Sequence, residues 1–382
     1  MTKSGSSWMR NAVRKKVGSG IRAAPLPINA VVTAEATATD MDRPRTQDAK
    51  ATPRKPGPRL TRHRALRSYL FLPMILWIGS LSACGEPDIR PFEDQPQRSL
   101  NVKTQAAHRG IAWLIENASE MPPGWAYPNL VRTKRLTTSP THQERISEAL
   151  EFDRLYGQHR ALPKEFTSIE FLTNSKAIQL LFEIVRRKET GQDWQSAAAD
   201  LDVLVSQNET ELWKATLLRD RPTVLHALSE LEIETLTEEE LFLNALREQS
   251  RQTEPRNLAG STRYMYAITH VVLARSNYFK NSVPSEGLEF MQPIFLAALE
   301  RHTHGKMGVM EIDLVGEVLT CLELLGIADP RMEKARVRLI RLQNEDGSWG
   351  TGREISPKRI HPTFNATAGL LDFHEVLPRP EP

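Results

Sequence analysis

Near the C-terminus of the chain, residues 341–352 read RLQNEDGSWGTG. They follow a stretch with helical periodicity, 329–343, and interrupt it with polar residues, Gly347 and Trp349. Glycine permits a tight reversal of the backbone, and a tryptophan ring is large enough to pack back over the end of the helix. The stretch therefore predicts a helix followed by a turn that Trp349 closes.

Helical periodicity extends far beyond this unit. From about residue 101 onward no segment alternates as a half-buried strand does, and apolar residues recur at helical spacing instead. Start signals agree, since Thr237 precedes three glutamates as in a capping box, and Asp329-Pro330 places proline at a first helical position. The predicted helices are 103–118, 142–156, 166–188, 192–206, 208–219, 222–233, 237–251, 260–278, 285–302, 310–326, 329–343 and 362–376. About twelve helices with short connections predict an all-α body of stacked antiparallel pairs.

The turn at 343–349 also resembles a known repeat. Its sequence, QNEDGSW, has the pattern Q-x-x-x-G-x-W and resembles the QW repeat of terpenoid cyclases, whose relatives include the protein prenyltransferases and other α/α-toroid proteins. A partial copy has Gly110 followed by Trp113 and, later, by Gly124-Trp125. The resemblance implies an α/α toroid with a central cavity.

The extent of this toroid-like domain is predicted as residues 102–382. The body also resembles bacterial helical domains of unknown function. In those domains a Thr-His pair is followed later in the sequence by a helix with His, Asp and Glu residues near its start. Neither resemblance identifies an enzymatic reaction for this chain. Walker, dinucleotide-binding, Gly-x-Ser-x-Gly and His-Glu-x-x-His motifs do not occur in the sequence.

The acidic motifs of the resembled enzymes are missing as well. Terpenoid cyclases of this fold use a DxDD acid, and other terpene synthases use a DDxxD magnesium motif; neither string occurs here. Protein prenyltransferases hold zinc with Asp, Cys and His in that order, as in Asp313, Cys321 and His361. Eight residues of helix rise about 12 Å, however, while zinc ligands lie about 2 Å from the metal. Asp313 and Cys321 therefore do not share one ion on a continuous helix.

The charge of the chain is unevenly distributed. The whole chain has a net charge of +3, but residues 1–83 contain 15 Lys and Arg against 4 Asp and Glu, a net charge of +11. Residues 84–382 contain 35 basic and 43 acidic residues, a net charge of −8. A mildly acidic body argues against a general nucleic-acid-binding function.

Residues 60–83 have the order of parts found in a secretory signal peptide. Basic residues precede an apolar run of 13 residues, 69–81, which is shorter than the roughly 20 residues of a membrane-spanning helix. The run ends in the sequence LSAC, which closes on Cys84 and resembles the lipobox of bacterial lipoproteins. The resemblance implies cleavage before Cys84 and lipidation of its thiol, and hence a membrane-anchored protein of the cell envelope, outside the cytoplasm. The alternative is a buried or interfacial helix.

Residues 1–59 do not fit a signal peptide, because they are rich in Arg, Ala, Thr and Pro and lack periodicity. They are predicted to be a disordered leader that is either a cytoplasmic segment or not translated, with Leu60 read from an alternative start codon. Residues 84–101 are predicted to be a polar tether. If Cys84 is lipidated, Cys321 has no disulfide partner, and its apolar surroundings predict a buried thiol.

Two carboxylates are candidate catalytic residues. Asp313 and Glu317 lie at positions i and i+4 of the predicted helix 310–326, on a different arc from its apolar residues. Such a helix suits an inner position in a toroid, packed on one side and facing the cavity on the other. The two carboxylates are close enough to share a cation or to act as an acid–base pair. The alternative is a solvated helix face with two ordinary carboxylates.

Three histidines complete the candidate site. His270 follows Tyr266 by one turn in an apolar helix, which makes His270 a third candidate catalytic residue and Tyr266 a cavity-lining residue. His361 precedes the predicted helix 362–376 and is placed at the cavity mouth, and His304, just past a helix end, is a candidate metal ligand. The alternatives are a core histidine at 270, an exposed loop at 304 and simple helix capping at 361. The sequence does not identify a cofactor.

Two functions are consistent with these features. In the first, a membrane-anchored lipoprotein binds a small molecule or a protein partner through the central cavity or its rim. In the second, an enzyme acts on an isoprenoid, lipid or glycan with Asp/Glu/His acid–base or metal chemistry. The missing acid motifs favour the first, whereas a deep pocket holding Asp313, Glu317 and a histidine would favour the second.

Overall fold

A computed structural model describes residues 96–122, 124–156, 175–235, 239–304, 307–373 and 377. These residues form thirteen α-helices and contain no strand, which confirms the predicted all-α class. The number of helices is compatible with a toroidal body, and the toroid arrangement itself stays a prediction. Residues 1–95, with the predicted leader, the signal peptide, Cys84 and most of the tether, lie outside the described residues.

We number the helices in chain order. They are α1 (Pro96–Glu116), α2 (Ala126–Leu136), α3 (Pro140–Tyr156), α4 (Ser175–Glu189), α5 (Gln195–Ala215), α6 (Arg221–Glu230), α7 (Glu239–Gln252), α8 (Pro255–Ala259), α9 (Thr262–Arg275), α10 (Met291–Thr303), α11 (Val309–Leu324), α12 (Pro330–Arg341) and α13 (Pro357–Leu370). Short 3₁₀ helices span Ala118–Glu120 and Leu218–Asp220. Across the described ranges, none of the helices is both long and apolar enough to cross a membrane.

Most predicted helices are present, with shifted ends. Helix α1 begins at Pro96, so the last residues of the predicted tether are helical. The prediction omits helices α2 and α8, because α2 contains a proline and several charged residues and α8 has only five residues. The two helices predicted at 192–206 and 208–219 correspond to two helical segments within α5, which the non-helical backbone of Asn208 separates at a kink. The amide of Asn208 donates to the Leu204 carbonyl oxygen at 2.9 Å, and such local bonds compete with regular helix geometry.

The buried apolar side chains form two clusters. The smaller one joins α4, α5 and α6, and the larger one joins α1–α3 with α7–α13. Helix α11 lies within the larger cluster and is buried around its whole circumference from residue 312 to residue 322. The alternative interpretation, in which its acidic arc is a solvated face, is therefore wrong.

Close packing between α11 and α13 brings their backbones together. A Cβ atom at Gly316 would lie 2.4 Å from the carbonyl carbon and oxygen of Asn365, so only glycine fits at this crossing. On the other helix, a Cβ atom at Gly369 would lie 2.8 Å from the Gly316 carbonyl oxygen. The two glycines thus hold α13 against the acidic arc of α11.

The turn at 343–349 joins three helices. Trp349 is fully buried, and its indole N–H donates to the Leu339 carbonyl oxygen of α12 at 2.8 Å. Its backbone N–H donates to the Thr363 hydroxyl of α13 at 2.9 Å. On α1, a Cβ atom at Gly110 would lie only 3.0 Å from the Trp349 ring. Gly347, with φ of +91°, makes the reversal that places this ring.

Candidate acid–base site

Asp313 of α11 lies at the junction of three helices, with 6% of its surface exposed. Its Oδ2 accepts a hydrogen bond from the Tyr266 hydroxyl of α9 at 2.6 Å. Its Oδ1 accepts from Asn365 Nδ2 at 2.8 Å and lies 2.7 Å from His361 Nδ1, both on α13. Both oxygens of this buried carboxylate are therefore satisfied, as a buried charge requires.

These donors stabilise the ionised form of Asp313. Burial alone would raise the pKa of Asp313, but the charge of His361 and the hydrogen bonds from His361, Tyr266 and Asn365 outweigh it and hold the pKa below its ordinary value. The pKa of the Tyr266 hydroxyl is raised, first by burial and then by the neighbouring carboxylates, chiefly that of Asp313. Tyr266 therefore stays a neutral donor and Asp313 an anion at neutral pH.

His361 is held by this carboxylate through one nitrogen. With Nδ1 donating to Asp313, Nε2 has no hydrogen bond to any described residue, and 41% of the side chain is exposed. Burial lowers the pKa of His361, but the charge and hydrogen bond of Asp313 raise it by more, so the pKa lies above its ordinary value. The edge of the ring contacts Trp125, with 6.0 Å between the centroids.

The predicted position of His361, just before a helix, is wrong. Helix α13 begins at Pro357, so His361 lies in its second turn and Pro362 lies inside the helix. The rule that places proline at a first helical position applies to Pro357 instead. A residue inside the helix has its i+4 neighbour on the same face, and this is why Asn365 reaches the same carboxylate.

A second carboxylate, Glu317, lies one turn further along α11 and is 2% exposed. Its Oε1 is 3.3 Å from His270 Nε2 on α9. The other ring nitrogen, His270 Nδ1, lies 2.6 Å from the Arg219 carbonyl oxygen and 3.3 Å from the Thr223 hydroxyl. Glu317 Oε2 is buried and has no hydrogen-bond partner among the described residues.

This geometry determines where protons lie around His270. A carbonyl oxygen only accepts hydrogen bonds, so Nδ1 carries the hydrogen that faces Arg219. The contact between Nε2 and Glu317 therefore needs a further proton, which belongs either to the imidazolium of His270 or to the carboxyl group of Glu317. The two groups share one proton, whereas the contact between His361 and Asp313 needs only the hydrogen that a neutral imidazole carries.

Two further predicted residues, His304 and Cys321, make no hydrogen bond with either histidine–carboxylate pair. His304 ends α10 at its C-cap and is exposed. Within the described ranges, no group of three or more His, Cys, Asp or Glu residues could hold a metal ion, so the metal role of His304 stays a prediction. Cys321 is a buried free thiol, as predicted; burial, with the charge of Glu317, raises its pKa well above the ordinary value.

The sequence-based prediction assigns no role in the site to three of its partners. Asn365 lies four residues after His361, and this helical spacing was a usable signal. Thr223 and the Arg219 carbonyl group lie far from His270 in the sequence, and no local pattern connects them with it.

A separate cleft of about 290 Å³ lies beside α2 and α3. It is lined by Ile115, Ala118, Ser119, Met121, Pro122, Gly124, Ala126, Ala149, Phe152 and Asp153. None of the predicted site residues is among these, so this cleft does not supply the deep acid-lined pocket that would favour an enzyme.

Comparisons with known proteins identify no relative of this chain. No protein-family model, curated protein or solved structure matches this chain. The resemblances to the QW repeat and to the lipobox therefore rest on the quoted residues alone.

Proposed function

We propose that this protein is an enzyme of the cell envelope that uses His361 as a general acid–base on a ligand bound within its helical body. The contact between His361 Nδ1 and buried Asp313, which leaves Nε2 without a partner among the described residues, carries this proposal. In a histidine–carboxylate pair of this kind, the carboxylate fixes the tautomer and orientation of the ring. The other nitrogen is then available to take a proton from a bound ligand and to return it.

The proton affinity of His361 fits this role. An isolated histidine has a pKa of about 6.5, and Asp313 raises that of His361, so the carboxylate strengthens the proton affinity of the ring. A general base is most effective when its pKa lies near the working pH. In the proposed reaction Nε2 accepts a proton from a hydroxyl group or a water molecule and donates it to the leaving group.

The location of the enzyme is part of the proposal. The apolar run at 69–81 and the LSAC sequence ending at Cys84 support export followed by lipid attachment. An enzyme so attached meets isoprenoids, lipids and glycans, and these are the proposed substrate classes. Labelling of growing cells with an alkyne analogue of palmitate tests the attachment: the full chain should incorporate the label and Cys84→Ser should not. Equal labelling of both would refute it.

The reaction can be tested while its substrate is still unidentified. The purified protein is incubated with lipid and glycan extracts of the cell envelope, and the products are compared by mass spectrometry with those of His361→Gln. The wild type should form products that the variant does not, while His304→Gln, a change at an exposed histidine, should behave like the wild type. Identical product profiles for wild type and His361→Gln would refute the proposal.

A binding function is the second candidate. Three donors satisfy Asp313 completely, and such a network can join α9, α11 and α13 without catalysing any reaction. The protein would then bind a small molecule or a partner protein through the centre or rim of the body. In the same experiment, a compound that co-purifies with the protein and is released unchanged would favour this candidate.

A further inference from the structure

Arg132 of α2 lies in a second cleft, far in sequence from Asp313 and His361. The cleft is lined by Tyr127, Pro128, Val131, Arg132, Arg135, Phe182, Val185, Arg186, Glu189, His226, Glu230, Asn277 and Tyr278. The guanidinium carbon lies 4.2 Å from the centroid of the Tyr278 ring and 5.4 Å from that of Phe182. These rings interact with the face of the cation but accept no hydrogen bond from its edge.

The other cations of the cleft have carboxylate partners. Arg135 donates to Glu189 at 3.3 Å. Arg186 makes a bidentate contact with Glu183 at 2.7 and 2.9 Å. Arg132 is different, because it has no hydrogen bond and no ion pair with any described residue.

The acidic groups of the cleft are also neutralised. Glu189 accepts hydrogen bonds from Arg135 and Tyr127, and Glu230 accepts one from Asn277 at 3.2 Å. Lys280 lies 3.5 Å from the first carboxylate and 3.7 Å from the second. Among the described cations of this cleft, Arg132 is therefore the one without a carboxylate in direct contact, although the charges of Glu317 and Glu189 act on it from a longer distance.

A largely buried guanidinium without a carboxylate in direct contact is unusual. It carries five N–H donors in a fixed plane, and buried cations are normally paired. Burial lowers the pKa of Arg132 by more than the charges of Glu317 and Glu189 raise it, so the net effect of its surroundings opposes the guanidinium charge. A second unsatisfied donor lines the same cleft, since Arg186 Nη1 is buried without a partner among the described residues.

We infer that Arg132 binds a small oxyanion, a phosphate or carboxylate group, in this cleft. A guanidinium edge matches two oxygens of such a group, while the stacked rings hold its plane fixed. The cavity of about 50 Å³ has room for a group of a few heavy atoms, because about 10–15 Å³ of such space already holds one water molecule. The anion is either free in solution or part of a lipid headgroup, and the chemistry at Arg132 is the same in both cases.

His226 provides an internal reporter. Its ring lies 5.0 Å from that of Tyr278, and burial lowers its pKa to about 4, with Arg132 contributing in the same direction. An anion at Arg132 would oppose both effects by favouring the protonated imidazole. Binding should therefore raise the pKa of His226, a change that a purely structural role of Arg132 would not produce.

The test uses the purified full chain and inorganic phosphate, titrated at constant ionic strength by calorimetry and by NMR of the histidine signals. Phosphate should bind, and Arg132→Gln should weaken binding by about tenfold or more, as expected for loss of a charge-assisted hydrogen bond. Arg132→Lys retains the charge and loses the planar fork, so it should bind with intermediate affinity. Arg145→Gln, which removes an exposed cation elsewhere, should bind phosphate like the wild type.

Acetate and vesicles containing phosphatidylglycerol form the other arms of the experiment. Binding of acetate or phosphate identifies a soluble anion, and binding of the vesicles alone, lost in Arg132→Gln, identifies a lipid headgroup. No binding in any arm, equal affinity for wild type and Arg132→Gln, or an unchanged pKa of His226 would each overturn the inference. If Arg132→Gln does not fold, Arg132→Lys decides, since unchanged affinity in that variant also overturns it. The inference does not rest on catalysis by His361, because phosphate binding is measured directly and without a reaction.

Discussion

Two histidine–carboxylate pairs lie one turn apart along α11, and they differ in how completely they are satisfied. Asp313 receives donors at both oxygens, while its histidine, His361, keeps one nitrogen without a partner among the described residues. Glu317 has the opposite arrangement. Both nitrogens of His270 have partners, while one oxygen of Glu317 has none within the described part of the chain.

The difference separates a group that can exchange protons with a ligand from one that cannot do so without rearrangement. His361 is 41% exposed at its side chain and His270 only 20%. Since His270 Nδ1 donates to a carbonyl oxygen, its other nitrogen and Glu317 share a single proton. The pair at Asp313 is therefore the better candidate for acid–base chemistry, although the residue types of the two pairs are similar.

Removing the carboxylate of Asp313 should have the largest effect. Asp313→Ala leaves three donors without their acceptor inside the body, and breaking a buried charge pair in this way costs about 3–5 kcal/mol of unfolding free energy. Glu317→Ala removes fewer contacts and should cost about 1–3 kcal/mol. Urea denaturation measures both, with the exposed residue change Asp193→Ala as the control. Equal losses at 313 and 317 would contradict the comparison.

The two histidines should also react differently with diethyl pyrocarbonate, which modifies unprotonated imidazole nitrogens. Modification of His270 requires either breaking the hydrogen bond between Nδ1 and the Arg219 carbonyl oxygen, worth about 1 kcal/mol, or displacing Glu317 from Nε2, so His361 should react about fivefold faster or more. Peptide mapping by mass spectrometry gives the two rates. In Asp313→Asn, His361 should still be modified, because the exposure of its ring does not depend on the carboxylate. This variant therefore separates the accessibility of the His361 ring from its activation by Asp313. Faster modification of His270 would show that the assignment is reversed.

The fold class could be predicted from the sequence because it depends on local patterns. The periodicity around Asp313 and Glu317 indicated the right helix, and the Gly347–Trp349 turn indicated the right local structure. Even so, the same periodicity could not show that α11 is buried on every side. That burial depends on Gly316, which lets another helix approach, and no local pattern identifies that helix as α13.

The candidate site could be predicted only in part, for a related reason. Asp313, Tyr266 and His361 can all be selected from the sequence, and the structure brings them together. The partners of His270 are a backbone carbonyl group at Arg219 and a hydroxyl group at Thr223, which have no sequence signature. The start of α13 was missed because two prolines occur near it, and only the first of them occupies the first helical position.

The contribution of the Asp313–His361 pair to stability should depend on pH. The pKa of His361 is raised, so its contribution is fully present below about pH 6.5 and is lost as pH rises through the folded-state value. The pKa of Asp313 is lowered, so its contribution is present above about pH 3.9 and is lost as pH falls through its folded-state value. The advantage of the wild type over Asp313→Asn should therefore be greatest between about pH 4 and 6.5.

The size of this pH effect is limited by solvent, because His361 is partly exposed. Between pH 6 and pH 8 the difference in unfolding free energy should fall by less than about 1 kcal/mol. Urea denaturation of both proteins at a series of pH values gives the curve. The corresponding comparison with Glu333→Gln, at an exposed carboxylate, should be flat over the same range. A difference that stays constant from pH 4 to pH 8 would mean that His361 does not depend on Asp313.

The smallest effect is expected from Glu317→Gln. A glutamine side chain has the same shape, and its N–H can donate to His270 Nε2 while Nδ1 keeps its bond to the Arg219 carbonyl oxygen. The variant therefore needs no shared proton, and its unfolding free energy should lie within about 1 kcal/mol of the wild type. Asp313→Asn cannot be accommodated in this way, because one of the donors around Asp313 then faces an amide N–H. A loss at Glu317→Gln as large as that at Asp313→Asn would show that the shared proton and the unpaired oxygen of Glu317 matter as much as the fully bonded carboxylate.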